Sequence, residues 1–125
     1  MERRLAAILH ADVVGYSRLI GSDEEATLAA LVASRAVFEE SIIGHGGRVV
    51  DMAGDSILAV FTAATAAVRA ARDIQVGLSR LDKPVTAGQH MRFRIGVNLG
   101  EVIEKSDGSI YGDGVNVAAR LEGLA

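Results

Sequence analysis

Apolar residues run from Leu5 to Val14, interrupted only by His10 and Asp12, and Gly15 ends the run. An aliphatic stretch of this kind predicts a strand buried on both faces, with His10 and Asp12 on one side because side chains alternate. Ser22-Asp23-Glu24-Glu25 then sets a capping serine three residues before a glutamate, the pattern of a capping box. The helix it opens extends to about Ile43, with Leu28, Leu31, Phe38 and Ile42 on one stripe, and Gly44, Gly46 and Gly47 stop it. Two short runs, Arg48–Met52 and Ser56–Phe61, flank Ala53-Gly54-Asp55 and predict a β-hairpin turning at Gly54-Asp55. Thr62 suits the N-cap of a second helix ending near Leu81, its apolar face formed by Val68, Ala71, Ile74 and Leu78. Asp82–His90 holds the only proline and reads as a loop. Met91–Asn98 is a further strand, which Leu99–Glu104 either prolongs or turns back upon. Gly112-Asp113-Gly114 leads into a last helix from about Val115 to Leu124.

This order predicts an α+β fold. It is a ferredoxin-like βαββαβ palm with an antiparallel sheet and helices on one face, complete by about Asn98 and followed by a C-terminal strand and helix. The 125 residues suit one domain. Half are hydrophobic and only 4% aromatic, so aliphatic side chains and alanine must build the core, and intrinsic disorder is excluded. With 13 basic and 16 acidic residues the net charge is −3, which argues against a nucleic-acid or anionic-membrane binder. Cysteine is absent, which excludes disulfides and thiolate metal sites and points to a cytoplasmic location. Arg3 and Arg4 precede Leu5–Leu9, but His10 and Asp12 break that run before it resembles a signal peptide. No apolar stretch approaches the roughly 18–20 residues of a membrane span.

Two carboxylates carry the candidate chemistry. Asp12 ends the first strand and Asp55 sits in the hairpin turn. With that strand central and the hairpin beside it, the two can converge at one end of the sheet. Oxygen-only donors suit Mg²⁺, which takes one or two carboxylates and lets phosphate oxygens complete its shell. Two such ions about 3.5–4 Å apart can clamp both oxygens of a phosphoryl displacement. Taken singly, Asp55 is ordinary turn chemistry and Asp12 an ordinary strand end. Beside them, Val13-Val14-Gly15-Tyr16-Ser17 forms a glycine-containing turn into a short helix, whose free N–H groups can cradle phosphates. Asn116 and Arg120 stand four apart on one face of the last helix, with Val117, Ala118 and Leu121 to pack it down. An amide and a guanidinium so placed suit a ribose or a phosphate, and equally a solvated helix face.

Taken together, four segments resemble one family. They are His10-Ala11-Asp12-Val13-Val14-Gly15-Tyr16-Ser17, Ala53-Gly54-Asp55-Ser56, Phe93-Arg94-Ile95-Gly96-Val97-Asn98-Leu99-Gly100, and Tyr111-Gly112-Asp113-Gly114-Val115-Asn116-Val117-Ala118-Ala119-Arg120-Leu121. In order and spacing these are similar to the class III nucleotidyl cyclases, the adenylate and guanylate cyclases. The resemblance implies a palm that dimerises head to tail, with active sites at the subunit interface. Asp12 and Asp55 would hold two Mg²⁺ or Mn²⁺ ions, the Val13–Ser17 backbone would bind phosphates, and Arg94 would contact the polyphosphate. From the opposite subunit, Asn116 would orient the ribose and Arg120 would stabilise charge on the α-phosphate. The reaction implied is attack of the ribose 3′-oxygen on the α-phosphate with loss of pyrophosphate, which needs alignment and charge stabilisation more than covalent help.

Three features depart from the family pattern. Adenylate cyclases usually carry a lysine that reads adenine where this chain has Asp51. A carboxylate there can only accept, as from the N–H groups of guanine. The second base-reading position matches Ser109, which can donate or accept. The last helix looks like those of bacterial adenylate cyclases, which favours ATP and leaves GTP possible. Family domains also extend roughly 50 residues further with a triphosphate-binding lysine, so residues 1–125 are expected to lack that part. A non-catalytic, cyclase-like binding or dimerisation module is the competing expectation. The related diguanylate cyclase palm fits poorly, because Ala53-Gly54-Asp55-Ser56-Ile57 lacks its Gly-Gly-Asp/Glu-Glu-Phe turn.

Overall fold

The computed structural model describes residues 2–81, 84–86 and 89–124. Its framework is a five-stranded antiparallel sheet built around β1 (Glu2–Val13). On one side β1 pairs with β3 (Ser56–Phe61), in the register Ala7↔Phe61 to Ala11↔Ile57. On the other it pairs along its whole length with β6 (Phe93–Glu104), from Glu2↔Glu104 to Val13↔Phe93. β2 (Arg48–Ala53) and β7 (Ile110–Tyr111) complete the order β2-β3-β1-β6-β7. Leu99–Glu104 thus prolongs the strand before it, because Glu2–Ala7 of β1 offer a partner all the way to Glu104.

The alternation of β1 divides the interior into two layers. Ala7, Leu9, Ala11 and Val13 face α2 (Glu24–Gly44) and α3 (Ala64–Ser79), with Phe38 and Phe93 packing ring to ring at 4.8 Å. Ala6 and Ile8 face the other way, toward Val102, Ile110 and Ala118 of α4 (Asp113–Gly123). The strand is buried on both faces, and the two long helices share one face as expected. The last helix covers the opposite one. Residues 84–86 and 89–90, expected as loop, form a small ribbon, β4 (Pro84–Thr86) with β5 (Gln89–His90). Asp82, Lys83, Ala87 and Gly88 of that stretch lie outside the described residues.

Local details differ from the sequence pattern for identifiable reasons. A short helix, α1 (Tyr16–Ser22), uses Ser22 as its last residue, so the cap of α2 moves to Asp23, which accepts from the Ala26 amide at 3.0 Å. Leu28 is 42% exposed. Thr27 takes its place on the buried stripe, because its hydroxyl donates back to the Asp23 and Leu19 carbonyls. In α3 the cap is Ala63 rather than Thr62, and the buried face is Ala67, Ala70, Ile74 and Leu78 rather than one including Val68.

The sheet curls until its edges meet. Glu104 on β6 accepts from Arg4 at 2.9 Å and from Arg48 of β2 at 3.2 Å, and Arg48 also donates to the Gly108 carbonyl. β1 lies between the hairpin and β6, so this bridge spans the concave side from edge to edge.

Helix α4 runs antiparallel along β6, with Asn98 donating to the Gly114 carbonyl near its start and Gly96 beneath its end. A Cβ at Gly96 would lie 2.5 Å from the Ala118 carbonyl oxygen and closer still to the Glu122 amide nitrogen. Only glycine permits this approach. Gly96→Ala should therefore destabilise the domain by about 2 kcal/mol, the cost of overpacking against backbone. Urea unfolding followed by circular dichroism checks this; a midpoint unchanged from the parent would show that α4 can lift without loss.

Candidate active site

The two carboxylates singled out by sequence are brought together. Asp12 lies at the last turn of β1, and Asp55 occupies the β2–β3 turn, where its Oδ2 accepts from the Val13 amide at 3.2 Å. One hydrogen bond thus holds the hairpin tip against the residue that follows Asp12. Arg35 of α2 donates to the Gly54 carbonyl and steadies the same tip. The β1–β6 register sets Arg94 opposite Asp12, and its Nε and Nη2 donate to the carboxylate at 3.1 and 3.3 Å. This fork raises the pKa of Arg94 above its ordinary value.

The turn after Asp12 is more restricted than its sequence implies. The Val13 amide is committed to Asp55 and the Val14 amide to the Arg92 carbonyl. Gly15, at φ 65, makes the left-handed step into α1. The open amides of the Val13–Ser17 segment therefore belong to Gly15, Tyr16 and Ser17, at the first turn of that helix.

Asp51 and Ser109 come together at another place. A bulge in β2 between Val49 and Asp51 leaves Asp51 exposed. The curl of the sheet then sets it on one cleft of about 370 Å³ with Ser109, Asp107, Arg48 and Tyr111. Asp107 accepts from both the Ser109 amide and hydroxyl, and these bonds hold its carboxyl below the usual range. The sequence pointed to the two positions but not to the arginine that closes the cleft, because that pairing joins opposite sheet edges.

Asn116 and Arg120 lie elsewhere. Both are exposed on the face of α4 that points away from the sheet, and among the described residues neither makes a hydrogen bond or ion pair. Leu121, expected to pack the helix down, is 41% exposed, whereas Gly114, Ala118 and Glu122 face the sheet. A helix is about 10 Å across with its side chains, so Asn116 and Arg120 are separated from Asp12 of the same chain by the body of α4.

Comparison with known proteins decides the family. The model of the adenylate and guanylate cyclase catalytic domain matches residues 2–125. The chain belongs to that family. It is 43% identical over its full length to a putative adenylate cyclase 3 of Rhizobium meliloti, and 32% identical to an adenylate cyclase of Streptomyces coelicolor. It spans only 21% and 31% of those two proteins. Among solved structures, an adenylate/guanylate cyclase/hydrolase from Silicibacter pomeroyi superposes with a TM-score of 0.82 at 40% identity, covering all of this chain and 72% of that one. A bacterial light-regulated adenylyl cyclase (TM-score 0.85, 26% identity, 99% of this chain, 71% of that one) and the guanylyl cyclase Cya2 (0.83, 26%, 98% and 71%) share the fold. None of the described helices of this cyclase domain is long and apolar enough to cross a membrane.

The cyclase domain also holds a carboxylate that sequence reasoning passed over. Glu122 is buried, with Arg94 Nε 3.4 Å from its Oε1 and His10 Nδ1 3.8 Å from its Oε2. Its signal was an acidic residue four positions after Ala118, in register with the buried face of α4. Burial, a hydrogen bond shared with Asp12 and the Asp12 charge raise its pKa to about 7, against the pull of Arg94. His10, between Ser56 and Glu122, is depressed by burial, with Asp12 acting the other way. Among the described residues no group of three or more His, Asp or Glu side chains converges as a ready-made cation cage. Two adjacent carboxylates still fit an ion that takes one or two carboxylates and leaves the rest of its shell to phosphate.

A carboxyl that keeps its proton to about pH 7 when folded, but loses it near 4.5 when unfolded, makes the fold less stable as pH rises between those values. Thermal melts in chelator should show the parent losing on the order of 2 kcal/mol relative to Glu122→Gln across this window, with the variant the more stable at pH 8. Parallel profiles would contradict this.

Proposed function

We propose that the chain is the catalytic domain of a nucleotidyl cyclase that converts ATP to cyclic AMP and pyrophosphate, working as a head-to-tail homodimer. The observation that carries this reading is the division of the site residues. Asp12, Asp55 and Arg94 cluster at one end of the sheet, while Asn116 and Arg120 project from the outer face of α4 with no partner among the described residues. A second copy, related by a two-fold axis, can bring its α4 to the first copy's carboxylates, and the same contact repeats in reverse.

In that arrangement Asp12 and Asp55 would hold two Mg²⁺ or Mn²⁺ ions, which would supply Lewis-acid stabilisation of charge on the attacking and leaving oxygens. The first-turn amides of α1 and the Arg94 guanidinium receive the polyphosphate, as fixed donors already aimed in a partly buried site. Asn116 of one copy orients the ribose so that its 3′-oxygen faces the α-phosphorus, and Arg120 stabilises the charge that develops there. The new 3′-O–P bond forms as the bond to the β-phosphate oxygen breaks. The hydroxyl proton passes to water and pyrophosphate departs.

The cleft bearing Asp51 and Ser109 reads the base. Relatives named as adenylate cyclases favour ATP. The carboxylate of Asp51 favours a second reading, a guanylate cyclase, because it accepts from the N–H groups on the guanine edge and offers adenine N1 no donor. The lack of cysteine and the net charge of −3 favour a cytoplasmic setting with no nucleic-acid partner.

The test is complementation. Asp55→Ala and Asn116→Ala should each lower cyclic-nucleotide formation by about 100-fold. Mixed in equal amounts they should recover about one quarter of parental activity, because half the dimers are mixed and each of these keeps one intact site of two. Parallel assays with ATP and GTP read the base choice. Mixtures no better than the single variants would rule out a shared site, and a parent that makes no product would favour a non-catalytic binding module.

A further inference from the structure

Arg94 stands between two carboxylates of unlike character. Asp12, its forked partner, ends a strand and keeps 25% of its side chain exposed. Glu122 keeps 5%, enclosed beneath α4, with Arg94 Nε 3.4 Å from its Oε1. That oxygen makes no hydrogen bond of good geometry, nor does the neighbouring His10 Nδ1. A carboxylate buried in this state is costly, and helix α4 brings it there only because Gly96 lets the helix backbone rest on β6. Packing alone would favour an apolar side chain four residues beyond Ala118.

The explanation lies in what Asp12 is asked to do. A cation on Asp12 draws on the same charge that holds the two-pronged arginine, and so weakens that fork. If Asp12 were the only counterion of Arg94, ceding it to a cation would leave the guanidinium free to swing into solvent. We propose that Glu122 is a positioning residue that retains Arg94 at the rim of the site once Asp12 is given over to a divalent cation, so that the guanidinium meets the polyphosphate. Glu122 touches neither cation nor nucleotide; it acts through Arg94. The enclosure that makes it costly also keeps it from competing for the cation. This rests on the cyclase reading of Asp12 and Arg94.

The experiment is calorimetric titration of the intact chain at pH 8 with Mn²⁺ alone and with inorganic tripolyphosphate in the presence of Mn²⁺. It compares the parent, Glu122→Gln, Arg94→Ala and the double variant. Tripolyphosphate affinity should fall about tenfold in each single variant, and the double variant should be no weaker than Arg94→Ala within about twofold. Mn²⁺ alone should bind Glu122→Gln as it binds the parent within about threefold, because Glu122 is not a ligand. Glu122→Asp, which keeps the charge but draws it back by one methylene, should lose affinity in the same direction and covers the case of an amide variant that folds poorly. Parental affinity in Glu122→Gln, or losses that multiply in the double variant, would overturn the proposal and leave the cyclase reading standing. A parent that binds no tripolyphosphate would overturn that reading, and this proposal with it.

Discussion

The position of β1 between two antiparallel partners is the constraint from which the rest of the molecule follows. Pairing with β6 along its length and with β3 over Ala7–Ala11 makes the strand central, and its two faces serve two separate cores. The same pairing determines where its last residues emerge. Asp12 lies opposite Arg94 because β6 is in register with it, and Asp55 lies beside Val13 because β3 is. The chemistry of the site is thus a consequence of strand register. A slip of one residue would turn His10 and Asp12 to the other face and dismantle the carboxylate cluster along with the core.

Charge around that cluster is deliberately out of balance. Asp12, Asp55 and Glu122 lie within electrostatic reach of one another, with Arg94 as the cation that holds two of them. Burial first, with the Asp12 and Asp55 charges adding to it, leaves Glu122 holding its proton to about pH 7, and the two aspartates are the charge a divalent cation would relieve. Elsewhere the cations match or outnumber the carboxylate they hold. Glu104 serves both Arg4 and Arg48, closing the curled sheet at the cleft that carries Asp51 and Ser109. The contrast separates a carboxylate used to close the fold from carboxylates kept for a ligand.

Much of this was legible in the sequence. The run from Leu5 to Val14 announced a doubly buried strand, and period-two reasoning placed His10 and Asp12 on one face correctly. The Gly54-Asp55 turn and the i,i+4 pair Asn116/Arg120 followed from local chemistry. What escaped depended on partners distant along the chain. Leu28 outranks Thr27 in hydropathy, but only Thr27 can bond back to the Leu19 carbonyl of the preceding helix. Glu122 was passed over, because its burial depends on Gly96, distant along the chain, admitting the helix backbone. Arg48 and Glu104 gave no local sign of each other because curl alone brings the edges together. Val13 and Val14 show the converse. The glycine-containing turn was found, but which of its amides remain open depends on Asp55 and Arg92.

The central claim is that Asp12 and Asp55 form one cation site through the contact between the hairpin tip and the end of β1. The most direct measurement is Mn²⁺ binding by the intact chain, read from loss of the free-ion signal in electron paramagnetic resonance, with Asp12→Asn and Asp55→Asn alongside the parent. The account predicts that either amide weakens binding by about tenfold or more, since each removes one of the two charged donors. Parental affinity in both variants would contradict it, because the cation would then bind somewhere that does not depend on this pair.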